Sequence, residues 1–167
     1  LRQQRGKIYD TNEQVLADTE MTPEGKAVRR YPSAVGSYVV GYYSPQLYGL
    51  AGIESQFDGF LRGAEGGNAV VTLQRELLHQ PLVGNNLILT LDLRLQRVAD
   101  EALGGRTGAV VAIDPRTGAI LANVSTPHFD PQQLVIDPRE DEAEEVARVK
   151  AYWAALNEPN GGDPLLP

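Results

Sequence analysis

The stretch from Gly108 to Ser125 constrains this chain most. It reads Gly-Ala-Val-Val-Ala-Ile-Asp-Pro-Arg-Thr-Gly-Ala-Ile-Leu-Ala-Asn-Val-Ser. Two runs rich in Val, Ile and Ala flank a Pro115-Arg-Thr-Gly118 turn. Pro supplies the φ near −65° that a turn needs, and Gly takes a positive φ at little cost. Such a pattern specifies a β-hairpin, and a hairpin needs another element to cover one face. The preceding residues supply one. Asp92 stands at an N-cap position, Leu95, Val98, Ala99, Ala102 and Leu103 recur on one helical stripe, and Gly104-Gly105 ends the helix.

Upstream, short strands alternate with turns. Lys7–Tyr9 and Val15–Ala17 read as a strand pair around an Asp10-Thr-Asn-Glu13 turn. Ala27–Tyr31 and Ser37–Tyr43 are further strands by their Val and Tyr content, separated by the turn at Pro32. A short helix is expected over Ile53–Leu61, stopped at Gly63. Ala69–Leu73 and Leu87–Leu91 read as strands, with a turn at Gly84-Asn-Asn86. A last helix is expected from Asp137-Pro138. Its first turn is acidic, Val146, Val149, Trp153 and Leu156 form its apolar stripe, and Glu144 is placed to pair with Arg148. Pro159–Gly162 ends it.

Composition narrows the function classes. The 167 residues carry 15 Lys plus Arg against 22 Asp plus Glu, a net charge of −7, which disfavours a nucleic-acid partner. There are no cysteines, so disulfides and thiolate metal sites are excluded. The two histidines, His79 and His128, have no metal-ligand spacing, and neither a metal nor a cofactor is expected. No apolar run reaches the roughly 20 residues that span a bilayer. Ser125 and His128 lie close together, but without a third orienting group a strand running into a Pro-rich loop explains them better. The acidic Glu140–Glu145 run lacks the spacing of a calcium loop and reads as a solvated helix start.

Four stretches taken together resemble the class B penicillin-binding proteins. Arg5-Gly-Lys-Ile-Tyr-Asp10 with Asn12 and Leu16-Ala17 is similar to that family's R-G-x-I-x-D-x-N-G-x-x-L-A entry. Arg29-Arg-Tyr31-Pro32 is similar to its R-x-Y-P motif. Val40-Gly41-Tyr-Tyr43 with Gly49, Gly52-Ile-Glu54 and Leu61-x-Gly63 resembles its G-x-x-G-x-E…L-x-G pattern. The fourth runs from Leu89-Thr-Leu-Asp92 through the hairpin, with Asp114 and Gly118 in its turn, to Asp130-Pro131. One position departs: Glu13 stands where the family has Gly, so the first turn is expected to manage without a positive φ.

The resemblance implies an α+β fold in two regions. Residues 1–86 would be a strand-rich pedestal, or dimerisation, domain, and residues 87–167 the first helix and hairpin of a transpeptidase (β-lactamase-like) domain. The family's serine sits in Ser-x-x-Lys, with Lys-Thr-Gly later. Neither motif occurs here, so no catalytic residue is expected in this chain, which reads as a front part ending before the nucleophile. The parent would be a D,D-transpeptidase on the extracytoplasmic face of the bacterial cell membrane, binding peptidoglycan stem peptides and β-lactams. The pedestal could meet a glycan-polymerase or a division or elongation partner, and the hairpin edge could pair two copies. A stand-alone interaction module is the alternative. The motif charges Arg5, Asp10, Arg29 and Glu54 are expected to cluster, with Arg5 or Arg29 paired to Glu54.

Overall fold

The computed structural model describes residues 4–64 and 84–157. The expected Ala69–Leu73 strand and the Pro159–Gly162 loop lie outside them. The chain is a mixed α/β fold whose first sheet has four strands: β1 (Ile8–Tyr9), β2 (Val15–Met21), β3 (Ala27–Arg30) and β6 (Leu87–Ile88), in the order β3-β2-β1-β6. The first three meander antiparallel, and β6 returns parallel to β1 with Ile8 opposite Leu87. Alternation along β2 sends Ala17 and Thr19 inward, as the period of 2 requires.

The turn between β1 and β2 does need a positive φ. Glu13 adopts φ 61°, contrary to the expectation from its side chain. The reason lies in Asp10, whose buried Oδ1 accepts the N–H groups of Asn12 and Gln14, each at 2.8 Å. That pattern fixes the turn whatever residue stands at 13.

Ser37–Tyr43 is not a strand. Ser37–Val40 forms a single helical turn, α1, entered at Gly36 (φ 94°) and left at Gly41 (φ 77°). A strand continues only at β4 (Tyr43–Ser44), which pairs with β5 (Gly49–Leu50). Tertiary packing overrides the β propensity of Val and Tyr here. A Cβ on Gly41 would sit 1.9 Å from the Ala51 carbonyl oxygen, and one on Gly52 would sit 2.8 Å from the Gly41 Cα. The two glycines let these backbones touch. The expected single helix over Ile53–Leu61 is two pieces, α2 (Gly52–Gln56) and α3 (Asp58–Leu61), broken at Phe57 with φ −110°. Gly84–Asn86 makes no turn either; it lies along the first strand's approach, with Gly84 N–H bonded to Gln4 O and Asn86 Oδ1 accepting from Lys7 N–H.

Asp92 caps the helix α4 (Leu93–Leu103), as its sequence indicates, and Gly104 ends it in the left-handed conformation. The buried face differs from the expected stripe. Leu93 and Gln96 are buried, while Leu95 and Val98 are 42% and 62% exposed. The hairpin explains why. In β7 (Gly108–Ile113) and β8 (Ile120–Thr126), Val110 opposes Val124 and Ala112 opposes Ala122. The far edge of β8 is met by Gln96, whose side-chain amide donates to the Asn123 carbonyl and accepts its N–H. Asp92 N–H and Thr90 Oγ1 bond the Leu121 and Ile120 carbonyls. One polar helix face thus covers a strand edge that would otherwise stay open.

A 3-10 turn at Pro131–Leu134 leads to α5 (Glu142–Leu156). It starts later than Asp137-Pro138, because Asp141 caps it through the Glu144 N–H and Asp137 instead takes part in a charged turn with Arg30 and Arg139. Arg148 pairs with Glu145, three residues back, rather than with Glu144. It also bonds the Gln133 and Val135 carbonyls, which lie on the Glu145 side. Two cores result. One joins Ile8, Leu16, Val28, Tyr31 and Leu61 with Leu93 and Val135. The other packs Val149, Trp153 and Leu156 of α5 on Tyr42, Phe129 and Leu134.

Candidate functional site

The sheet, α2 and α3 converge on one carboxylate. Glu54 is fully buried, and Arg5 Nε and Arg29 Nε reach its two oxygens at 2.6 and 2.7 Å. Tyr31 OH donates to the same carboxylate at 3.2 Å. The sequence anticipated one arginine on Glu54; both arrive. Arg5 also holds Asp58 Oδ1 at 2.6 Å and the Glu54 carbonyl at 2.6 Å, and its guanidinium lies 4.6 Å above the Tyr43 ring. Arg29 Nη1 donates to Gly6 O and Thr19 Oγ1. Burial works to lower the Arg5 pKa, but Glu54 and Asp58 outweigh it and the value rises. Burial chiefly, with Glu54 beside it, pushes the Tyr31 hydroxyl well above its ordinary value.

Local sequence explains the convergence. Arg5 precedes β1, Arg29 lies on β3, and Glu54 lies in the first turn of α2. Gly6 permits the close approach, since a Cβ there would meet the Asn85 carbonyl oxygen at 1.9 Å. Asp10 extends the arrangement to the second half of the chain, its Oδ2 accepting the Leu93 N–H at 3.0 Å. Burial opposes ionisation of Asp10, yet the N–H groups of Leu93, Gln14 and Asn12 prevail and lower its pKa. Pro32 is exposed in the bend after Tyr31. Asp114 accepts the Arg116 N–H in the distant hairpin turn, where Gly118 has φ 75°. Those two stand apart from the Arg5, Arg29, Tyr31 and Glu54 cluster.

This arrangement is a clamp. It offers cations, a bridging anion and a phenol, and no side chain in it is an activated nucleophile. Elsewhere, His128 Nδ1 stands 3.6 Å from Asp100 Oδ1. Among the described residues no three metal-ligating side chains group together, and no helix is long and apolar enough to cross a membrane. Sequence reasoning missed Asp58, Thr19 and Gln96. Asp58 stands four residues past Glu54, at the spacing of helical neighbours; the other two carry no sequence signal of their own.

A short-stranded sheet clamped to a helical turn and followed by a capped helix and hairpin is the fold of the N-terminal region of penicillin-binding proteins. The sequence profile of the penicillin binding protein A dimerisation domain matches residues 5–87, and the chain belongs with the class B penicillin-binding proteins. It is 44% identical over 100 residues to the peptidoglycan D,D-transpeptidase MrdA of Acinetobacter baumannii, covering 56% of this chain and 15% of that protein. Against MrdA of Escherichia coli it is 36% identical over 128 residues, 73% of this chain and 19% of the relative. Penicillin-binding protein A of Mycobacterium tuberculosis, solved as an imipenem acyl-enzyme complex, superposes with a TM-score of 0.82 at 29% identity. That alignment covers 99% of this chain and 37% of the other. The chain therefore spans less than a fifth of these two transpeptidases and little over a third of the solved chain.

Proposed function

We propose that this chain is the non-catalytic front part of a peptidoglycan D,D-transpeptidase. Residues 1–86 form its pedestal, and residues 87–167 open the transpeptidase domain. The observation that carries the reading is the superposition of 99% of the chain on penicillin-binding protein A, joined to a sequence without Ser-x-x-Lys. In the parent, a serine oxygen attacks the penultimate D-alanine carbonyl of a stem peptide. The C–N bond breaks, the terminal D-alanine leaves with a proton, and an acyl-enzyme remains. An amine of a second stem peptide then takes the acyl group and returns the proton to the serine. A β-lactam acylates the same serine by opening its ring. The parent works at the extracytoplasmic face of the cell membrane, and the clamp at Glu54 keeps the pedestal rigid beneath the catalytic domain.

One observation favours pairing as a further role. Val111 and Ile113 on β7, Ile120 on β8, and Leu95 and Val98 on α4 are exposed. Strand β7 bonds only β8 among the described residues. Either the remaining transpeptidase sheet or a second copy can occupy that edge. Sequencing the gene on both sides tests the main reading. A hydrophobic span before Leu1 and Ser-x-x-Lys shortly after Pro167 are expected. A stop codon directly after Pro167 would overturn it in favour of a stand-alone interaction module.

A further inference from the structure

A cavity of about 340 Å³ opens beside the clamp, at the lower end of the size range of ligand sites. Its charge is unusual for a chain of net charge −7. Arg5, Arg29 and Lys26 line it, and among the described residues no carboxylate does. Glu54 and Asp58 lie behind the arginines rather than in the cavity wall. Arg5 pairs with Asp58 as well as Glu54, while among the described residues Arg29 has Glu54 alone. Arg29 is 3% exposed, and its Nη2 is a buried donor with no partner among the described residues. A buried donor of this kind is costly to leave unmade.

The walls suggest the form of what enters. One wall is Ala27–Arg29 of β3, the outermost strand of its sheet among the described residues. The other is Val135 and Ile136, where Val135 is extended (φ −88°, ψ 131°). Apolar side chains line both sides, and the cations stand among them. A groove between an edge strand and a second extended run accommodates an extended peptide, with backbone bonding to the strand and a pocket reading one side chain.

We propose that this cavity is a recognition site for an extended polypeptide segment, with an acidic side chain of that partner received among Arg29, Arg5 and Lys26. The carboxylate makes charge-assisted hydrogen bonds, and its flanking apolar residues lie on Ala27 and Ile136. The inference rests on β3 and the Val135-Ile136 run of this chain and does not need the transpeptidase reading.

The test is an NMR titration of the ¹⁵N-labelled chain with two blocked peptides, acetyl-Val-Glu-Val-amide and acetyl-Val-Gln-Val-amide, and with free glutarate. The glutamyl peptide is expected to bind about tenfold more tightly than the glutaminyl one and to weaken as salt rises. Its shifts should concentrate at Ala27–Arg29 and at Val135 and Ile136. Lys26→Glu, at an exposed position, is expected to weaken it about three- to tenfold. Ala27→Phe, also exposed, should block the cavity and abolish the shifts, while both variants keep the dispersed spectrum of the folded chain. Equal affinity for the two peptides, or shifts elsewhere, would overturn the proposal. Glutarate binding as tightly as the peptide would overturn the polypeptide assignment in favour of a free dicarboxylate.

Discussion

Replacing Glu54 by Gln tests how much the clamp contributes. The carboxylate is fully buried and accepts Arg5 Nε at 2.6 Å, Arg29 Nε at 2.7 Å and Tyr31 OH at 3.2 Å. Glutamine keeps the shape and removes the charge. Arg5 retains Asp58, but Arg29 is left with the Gly6 carbonyl and the Thr19 hydroxyl, both neutral. Removing one partner from a buried ion pair costs about 3–5 kcal/mol. The surviving Asp58 contact places the expected loss near the lower end, about 3 kcal/mol. That is a large share of a total stability of about 5–15 kcal/mol. With a urea slope of about 1–3 kcal/mol per molar, the midpoint should fall by about 1 M or more. Equilibrium urea unfolding followed by circular dichroism, and in parallel by the fluorescence of the single Trp153, measures this and checks that both cores unfold together. A midpoint change under about 0.3 M at unchanged slope would refute the clamp as a source of stability.

Other substitutions probe separate parts of the fold. Glu13→Gly should raise stability by roughly 1 kcal/mol by relieving the φ of 61°, read as a thermal midpoint about 2–4 °C higher; a lower midpoint would contradict it. Gly41→Ala should lower stability by about 2–5 kcal/mol, since its Cβ would overlap the Ala51 carbonyl at a positive φ, and near-wild-type unfolding would count against that packing. Gln96→Ala should cost about 1–3 kcal/mol and speed hydrogen exchange at Asn123, whereas unchanged exchange there would show that the side chain does not cover the strand edge. The Arg148 hydrogen bonds hold the Glu145 carboxyl at about 2, down from 4.5. A depressed folded value means stability present above pH 4.5 and lost as pH falls through 2. Glu145→Gln should therefore cost roughly 1 kcal/mol at neutral pH, allowing for solvent screening of Arg148, and nothing near pH 2; thermal melts in which the two proteins stay equally far apart from pH 6 to 2 would refute it.

The parts of the fold legible in the sequence are those fixed by local chemistry. Asp92 and Gly104 bound a helix because caps act within one turn, and Pro115 and Gly118 close a hairpin for the same reason. The Glu54 pairing was legible because motif charges in a small domain must find partners. What escaped depends on distant contacts. Ser37–Val40 has the composition of a strand, but the touching backbones of Gly41 and Gly52 hold it as a helical turn. The α4 stripe pointed to Leu95 and Val98 as core, yet Gln96 is buried because a strand edge needs an amide to bond. Glu13 takes a glycine-like φ because Asp10 sets the turn from outside the residue. Lys26 joins the cavity only once β3 is folded back, and no spacing announces it.

The central claim is that the chain belongs to a penicillin-binding protein and does not carry its nucleophile. Intact-mass spectrometry after incubation with penicillin G measures this directly, on the chain alone and on the same chain within its full-length parent. The expected result is no added mass on the chain alone and one covalent penicilloyl group on the parent, lost when the parent's Ser-x-x-Lys serine is replaced by alanine. A stoichiometric penicilloyl adduct on the 167-residue chain itself would contradict the account, as would a parent that takes up none.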